Sequence, residues 1–560
     1  MRQLLIIFSF TLFQLSFSQS KVTENSKTES LIHIWGLLKY QHPEVSKGIF
    51  DFNQEFINEF DKISPIQTTE ALNTEFLNWV RKFDLGKSKF KNEPNLLNNS
   101  KIFTKNADFS WIENSGFNQE LIQELNRIKS NRAIGDYYAS INSLNKMVNF
   151  KNEKGYDRFD PAQKAHRFLF LSSFWNTMRY WNVNIYLTDQ PWREVLTEMI
   201  PVFNQESTIK FESAKEQLFS KLNDSHSNYD SSHLLNKKLI NYAYFGGRII
   251  NDSLVITSIF NTDFAKKDGI SLGDVVYTVE EKPLKNYYVD KFSQAISVSN
   301  QNYLKSRIER FFLLANDKDS IQIGIKKNNG SKTTKTIKLY KSVRYPEDLL
   351  VSMNKPLSEN WFKIKEDIGY LNLKLIDKSG LKKAFKEFDK TKAIIIDLRN
   401  YPRNISTEEI AEHLYPDKKV FIKTLGPFTP SYAEYDIEAP LKIIKNPFAC
   451  GSKNKDYYKG KIVLLVDRTT SSNAEFIGMA IQQAPNCITL GEQTFGAVMN
   501  RNQITLIDKT TIDFTGMGAF YPNDKSVQRN GLNIDYPINE SAANYNPDLY
   551  LEEAVKLIQK

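Results

Sequence analysis

The 560-residue sequence contains only two cysteines and six histidines. A single possible pair, Cys450 with Cys487, is not a disulfide framework in a chain of this length, and whether the two residues pair stays open. Neither cysteine lies in a motif typical of a reactive thiol, so both are interpreted as small buried apolar residues.

The sequence also lacks polybasic runs and any apolar run of the ~20 residues that a bilayer-spanning helix needs, since the apolar stretch near the N-terminus is shorter. The net charge is +9, but lysines and arginines alternate with acidic residues along the whole chain, which disfavours nucleic-acid binding. The N-terminal segment contains one arginine, an apolar stretch at 4–17 and small residues at Ser16 and Ser18. We predict a signal peptide at 1–18 and an exported protein, in the periplasm, the cell envelope or outside the cell, with no integral membrane segment after cleavage.

Aromatic residues are abundant, with 38 Phe and 26 Tyr, and the length suggests several domains. The segment "LIHIWGLLKY", at 31–40, has the apolar spacing of a helix, and "LSSFWNTMRY", at 171–180, repeats it. We therefore predict a helical domain at 19–236 with an internal repeat. The repeat is interpreted as a duplicated packing unit, and a binding groove between the copies is the alternative.

Short β-rich runs follow at 238–343. The stretch "VITSIFNTDFAKKDGISLGDVVYTVEEKPL" resembles a PDZ domain, and Gly269, Gly273 and Asp274 match the turn between its helix and its next strand. A generic antiparallel module is the alternative interpretation. The resemblance implies an exposed strand edge that would bind the end of a peptide chain.

Strands alternate with helices in the last segment, 344–560, which predicts an α/β domain. "AIIIDLR" and "KIVLLVD" are continuous apolar runs of the kind found in strands that are covered on both faces. "QITLIDKTTIDF", at 503–514, is expected to be one strand. The predicted fold class is multidomain α+β, with a helical N-terminal domain, a PDZ-like β-rich domain and a C-terminal α/β domain.

The segment "VLLVDRTTSSNAEF" predicts a strand, a tight polar turn and the start of a helix. Ser471 and Ser472 lie in this turn, and Glu475 completes a capping box of the form S-x-x-E with Ser472. Local sequence alone favours helix capping. The alternative is a catalytic serine, because the amides at a helix N-terminus can stabilise a developing oxyanion.

The wider pattern resembles the tail-specific, or C-terminal processing, serine peptidases. "IIIDLRNYP" at 394–402, the serine turn, "GEQTFG" at 491–496 and "GLNID" at 531–535 match that family's landmarks in order. The resemblance implies that Ser472 is the nucleophile and that the Asn473 amide stabilises the oxyanion. It also implies that Gly491 and Gly496 contribute to substrate binding, and that the C-terminal domain is a tail-specific peptidase domain.

One branch of this family uses a lysine after Thr-Phe-Gly as the base, but Ala497 stands there in this chain. The other branch, typified by the tricorn protease core, uses a Ser-His pair upstream of the PDZ domain, and "LNDSHSN" resembles that motif. The resemblance implies that His226 is the base and that Ser225 orients it. Gln528 stands where this branch has a glutamate that orients the Ser-His pair, and its amide can still orient the pair by hydrogen bonding but brings no negative charge. Arg403 and Asn404 stand where many relatives have two glycines.

Together these patterns predict an exported serine endopeptidase that acts on polypeptides through a Ser-His mechanism, without a metal or a cofactor. Its partner is a polypeptide substrate, recognised by a chain end or an unfolded loop. The alternative is a catalytically impaired protein that keeps the peptidase fold and binds peptides or glycans. The neutral Gln528 and the altered glycine pair motivate this alternative, and for an active enzyme they leave reduced and full activity both open.

Overall fold

The fold was analysed in a computed structural model, which describes residues 22–87, 89–92, 99–341, 351–353, 359–436 and 446–560. The predicted signal peptide at 1–18 lies outside these residues. Within the described part of the chain, no helix is both long and apolar enough to cross a membrane. The predicted fold class is confirmed: a helical N-terminal region is followed by a β-rich region and a C-terminal α/β region.

The N-terminal region consists mainly of helices, with a few very short strands between them. Its helices are α1 Glu24–Gln41, α2 Phe52–Ile63, α3 Thr69–Lys82, α4 Trp111–Asn114, α5 Gln119–Lys129, α6 Lys164–Trp181, α7 Trp192–Phe203 and α8 Thr208–Ser220. Its strands are β1 Ile102–Phe103, β2 Ser140–Ile141, β3 Val148–Asn149 and β4 Asn228–Tyr229. The pairs α1–α2 and α6–α7 begin and end at equivalent positions in the two copies of the repeat.

The two helical pairs also share a hydrogen bond at equivalent positions. The indole N–H of Trp35 donates to the carbonyl of Phe52 at 2.9 Å, and that of Trp175 donates to the carbonyl of Trp192 at 2.8 Å. Each bond fixes the angle between the two helices of its pair and satisfies a buried polar group that the indole brings into the core.

Helices α1 and α6 approach each other closely at Gly36 and Asn176, which occupy equivalent positions in the two copies. The Asn176 side-chain amide donates to the carbonyl of Ile32 in α1 at 2.9 Å. A Cβ atom added to Gly36 would lie 1.9 Å from Asn176 Oδ1. Gly36 is therefore required for this helix crossing, since any larger side chain would push the helices apart.

The β-rich region contains β5 Phe245–Ile250, β6 Ser253–Ile259, β7 Val275–Val279, β8 Lys282–Pro283, β9 Ser320–Lys326 and β10 Lys332–Lys338, with helices α9 Thr262–Asp268, α10 Leu284–Phe292 and α11 Gln301–Ile308. Strand β11 Val351–Ser352 pairs with the end of β6. Gly269 ends α9 with φ 59°, and the buried Asp274 carboxylate accepts the amide of Ser271 at 2.7 Å. The signature glycine and aspartate thus shape this turn, and the PDZ-like interpretation stays a prediction.

The outer edge of β5 is hydrogen-bonded to the rest of the chain. The amides of Gly247 and Ile249 donate to the backbone carbonyl and to the carboxylate of Glu309, at 3.3 and 2.9 Å. Arg468, in the C-terminal region, donates to the carbonyl of Ile249 and to Glu309. A peptide that added to β5 would therefore have to displace Glu309.

The C-terminal region is built around a sheet in the order β12-β13-β14-β19-β20-β24, in which all pairs after β12–β13 are parallel. These strands are Trp361–Lys365, Ile368–Asn372, Ala393–Asp397, Lys461–Val466, Cys487–Gly491 and Tyr536–Pro537. Helices α12 Lys378–Glu387, α13 Thr407–Leu414, α14 Asn473–Ile481 and α15 Leu549–Gln559 complete the region. Strands β14 and β19 are buried on both faces, as their apolar runs predict.

Two small sheets connect the N-terminal and C-terminal regions within the described part of the chain. The remaining strands are β15 Lys419–Val420, β16 Lys423–Thr429, β17 Tyr432–Asp436, β18 Ala449–Cys450, β21 Arg501–Thr505, β22 Thr511–Thr515 and β23 Gly518–Phe520. β1 pairs with β17, and β4 pairs with β22. The stretch 503–514, expected to be one strand, folds into the β21–β22 hairpin because Asp508 and Lys509, with φ 68° at Lys509, turn the chain.

We predict that Gly36→Ala destabilises the protein by about 1–3 kcal/mol, since the added methyl overpacks the α1–α6 contact. The midpoint of thermal unfolding should fall accordingly. Gly380→Ala, in helix α12, is the matched control, because its added Cβ would come no closer than 3.0 Å to its nearest neighbour, Ile376 Cγ1. Equal effects of the two substitutions would contradict the proposed role of the α1–α6 contact.

Candidate active site

Ser472 lies in a strained turn between strand β19 and helix α14. Its φ of 52° and ψ of −116° are unusual for a residue with a side chain. Two hydrogen bonds attach the turn to the end of strand β14. The hydroxyls of Thr469 and Thr470 donate to the carbonyls of Arg399 and Leu398, at 2.8 and 3.1 Å. Asn473 is the first residue of α14, so its amide has no partner within the helix.

Glu475 is buried next to this turn, and both oxygens of its carboxylate accept hydrogen bonds. One oxygen accepts the Thr494 hydroxyl at 2.6 Å and the Gly496 amide at 2.7 Å, and the other accepts the amides of Ala497 and Ser472, at 3.1 and 3.3 Å. The pKa of Glu475 is raised to about 7, because the effect of burial exceeds that of these four hydrogen bonds, which lower the pKa. The carboxylate thereby connects the serine turn to the loop at 494–497.

His226 and Ser472 line the same cavity, although they lie far apart in the sequence. The cavity has a volume of about 550 Å³, and apolar side chains form much of its wall. Its lining includes Leu144, Tyr401, Phe448, Phe476, Val498, Met499 and Met517. No hydrogen bond between the Ser472 hydroxyl and the His226 ring is found among the described residues, so proton transfer requires one of the two side chains to move.

The surroundings of His226 favour the neutral imidazole. Burial lowers the pKa of His226 from 6.5, the negative charge of Asp224 raises it, and the positive charge of Arg501 lowers it further. A neutral imidazole can accept a proton, which is what a general base must do.

Residues 367–538 match a family model that is described as Peptidase family S41. These residues belong to peptidase family S41. The chain therefore carries a peptidase domain of serine type, and this confirms the family recognised from the motifs. A search of curated proteins found no match.

Solved structures of CPAF are similar in fold to this chain. Mature CPAF has a TM-score of 0.52 and 11% sequence identity, over 70% of this chain and 95% of that one. CPAF complexed with lactacystin has a TM-score of 0.51 and 12% identity, over 70% and 96% of the two chains. The photosystem II D1 C-terminal processing protease is also similar, with a TM-score of 0.38 and 15% identity over 70% and 97%.

The two residues predicted to orient His226 are buried close to it. The Ser225 hydroxyl accepts the Ser299 amide at 2.9 Å, and the Ser225 amide donates to the Ser299 hydroxyl at the same distance. The Gln528 side-chain amide donates to Thr515 Oγ1 at 3.4 Å, and its carbonyl oxygen has no partner among the described residues. The orienting roles of Ser225 and Gln528 stay predictions.

At the two glycines that are predicted to bind substrate, close packing leaves no room for a larger side chain. A Cβ on Gly491 would lie 1.9 Å from the carbonyl of Val466 on strand β19. Gly496 has φ 72°, and its Cβ would lie 2.7 Å from the carbonyl of Arg529. Both positions exclude larger side chains for structural reasons, and their role in substrate binding stays a prediction.

Sequence reasoning missed two side chains beside His226, namely Asp224 and Thr515. Asp224 lies within the "DSHS" motif, so its spacing from the histidine was visible in the sequence. Thr515 carried no such signal, because only the pairing of strands brings it close.

Cys450 and Cys487 are not joined by a disulfide; Cys450 is buried and Cys487 is half-buried. Among the described residues, no group of three or more His, Cys, Asp and Glu side chains is arranged to hold a metal ion.

We predict that Glu475→Gln lowers both the thermal stability and the reactivity of Ser472. Both carboxylate oxygens accept N–H groups, so the amide nitrogen of glutamine must face at least one donor that loses its acceptor. Each donor left unsatisfied costs about 1–3 kcal/mol.

Glu409→Gln is the matched control, because Ser406 and Glu409 form the same S-x-x-E capping box at the exposed N-terminus of helix α13. Water can satisfy the donors there. The Glu475 interpretation would be wrong if both variants unfolded at the temperature of the unchanged protein.

Proposed function

We propose that the protein is an exported serine endopeptidase of the tail-specific type, with Ser472 as nucleophile and His226 as general base. The observation that carries this proposal is the strained Ser472 at the N-terminus of α14, in the same cavity as the His226 ring. A serine hydroxyl is a weak nucleophile by itself and needs a neighbouring base.

In the proposed reaction, Ser472 Oγ attacks the carbonyl carbon of the scissile peptide bond while His226 takes the hydroxyl proton. The Asn473 amide donates to the oxyanion of the tetrahedral intermediate. His226 then gives the proton to the leaving amine, and the C–N bond breaks. Water hydrolyses the acyl-enzyme by the same steps, with His226 again acting as the base.

The shape and chemistry of the cavity support a polypeptide substrate. Its apolar wall, with Phe448, Phe476 and Met517, suits a large apolar side chain next to the scissile bond. The PDZ-like region would hold another part of the substrate. A peptide- or glycan-binding protein without activity is the second candidate, and the neutral Gln528 favours it.

Ser472→Ala and His226→Ala should each abolish cleavage of an unfolded protein such as casein, followed by gel electrophoresis over time. Ser471→Ala, one position away in the same turn, should cleave at the rate of the unchanged protein. Cleavage that persists in Ser472→Ala or His226→Ala would rule out the proposed mechanism. Binding of casein without any cleavage by the unchanged protein would support the second candidate.

The rate of cleavage should fall with decreasing pH along a limb whose midpoint lies below 6.5. Burial lowers the pKa of His226, so the ring stays unprotonated, and able to accept the serine proton, to a lower pH than an exposed histidine would. Below the folded-state pKa, the ring is protonated and the rate is lost. A midpoint above 6.5, measured from kcat/KM against pH, would contradict this assignment.

A further inference from the structure

Thr515 Oγ1 is the polar atom that faces Nδ1 of His226, at 3.5 Å. The register of the β4–β22 pair explains this position, because Ile512 lies opposite Tyr229 and Asp513 lies opposite Asn228. The same antiparallel register, continued by two residues, places Thr515 opposite His226. The contact is therefore set by backbone pairing, which is more rigid than a contact between two surface side chains.

Asp224 holds Thr515 by two hydrogen bonds. The Thr515 hydroxyl donates to Asp224 Oδ1 at 2.7 Å, and the Thr515 amide donates to Asp224 Oδ2 at 2.6 Å. The amide of His226 also donates to Oδ1, at 3.1 Å. Asp224 is only 4% exposed and Thr515 is fully buried, so little water competes for these bonds.

The hydroxyl of Thr515 has a single hydrogen, and the carboxylate of Asp224 accepts it. Only the lone pairs of Oγ1 remain to face His226, so Oγ1 can accept a hydrogen bond from the ring but cannot donate one. The favoured neutral tautomer of His226 then carries its proton on Nδ1. Its other ring nitrogen, Nε2, is left free to accept a proton.

We propose that Asp224 and Thr515 are positioning residues for His226, which hold the imidazole in the tautomer that a general base requires. This inference rests on the proposed function, because it assigns a role toward the histidine of that mechanism. Asp224 acts through the Thr515 hydroxyl rather than by direct contact with the ring nitrogen.

The same arrangement explains why a neutral residue at position 528 is compatible with the proposed mechanism. Gln528 also donates to Thr515 Oγ1, at 3.4 Å, and so it supports the hydroxyl but brings no negative charge. The buried carboxylate of Asp224 supplies the charge that stabilises an imidazolium. The charged groups that act on the ring are Asp224 and Arg501, and Arg501 is itself paired with Asp513 at 3.1 Å.

A fluorophosphonate probe tests this proposal without knowledge of the natural substrate. In the labelling reaction Ser472 Oγ bonds to phosphorus, the P–F bond breaks and fluoride leaves, and His226 takes the hydroxyl proton. The rate constant of labelling is measured against pH for the full chain and its variants. Ser472→Ala and His226→Ala establish that labelling reports this site.

Thr515→Val removes the hydroxyl but keeps the shape, and we expect labelling to slow by about tenfold or more. Thr515→Ser restores the hydroxyl and should recover most of the rate. Thr511→Val is the matched control, because Thr511 lies on the same face at the other end of strand β22, and it should label at the rate of the unchanged protein. Circular dichroism confirms that each variant is folded.

Asp224→Asn should slow labelling to a similar extent, and it should also move the acid limb to lower pH. The acid limb moves to lower pH because the negative charge of Asp224 raises the pKa of His226, and its removal lowers that pKa. If Asp224→Asn does not fold, the comparison of Thr515→Val with Thr515→Ser decides the matter.

Different results would contradict the positioning role of Asp224 and Thr515 and the proposed peptidase function. If Thr515→Val labels as fast as Thr511→Val while His226→Ala does not label, the positioning role is overturned and the proposed function stands. An unmoved acid limb in folded Asp224→Asn overturns the role of its charge. If the unchanged protein is not labelled, or is labelled equally well without His226, the proposed function itself is overturned.

Discussion

The hydrogen bonds between Asp224 and Thr515 join two parts of the chain that are 291 residues apart. They continue the ladder of β4 with β22, and the β21–β22 hairpin buries Ile504, Ile512 and Phe514 in the core of the helical region. The helical and α/β regions are therefore packed as one body at this point. His226 belongs to the first region and Ser472 to the second, so the candidate site exists only because this ladder forms.

The two buried acids of the candidate site, Glu475 and Asp224, each accept several hydrogen bonds. Glu475 accepts four hydrogen bonds, and Asp224 accepts the amides of His226 and Thr515 besides the Thr515 hydroxyl. Burial of a carboxylate without such partners is strongly unfavourable, and the ion would take up a proton instead. The dense donor sets allow negative charge to lie close to the helix N-terminus and close to the imidazole. A second group, in which Arg248 and Arg468 meet Glu309, Glu492 and Glu540, attaches the β-rich region to the α/β region.

The strain at Ser472 is maintained by contacts on both sides of the turn. Thr469 and Thr470 tie the turn to the end of β14, and Glu475 ties it to the loop at 494–497. A residue in such a conformation costs on the order of 1–3 kcal/mol and persists only where its surroundings hold it. Capping and catalysis are therefore not rival explanations of this segment, because the capping glutamate is part of what holds the serine in place.

Most of the helices and the buried parallel strands could be predicted from the sequence, because each leaves a local pattern of apolar residues. The helical repeat, the buried strands β14 and β19 and the serine turn were all visible as patterns, and the ordered motifs identified the family. Local sequence could not show the β21–β22 hairpin or which side chain faces His226. The reason is physical: a β-ladder pairs residues by register across space, and no short-range pattern at Thr515 encodes the partner at position 226. Sequence alone therefore predicted a nucleophile and a base, while the tertiary structure decided where the supporting charge lies, because only folding brings the Asp224 carboxylate and the Thr515 hydroxyl together.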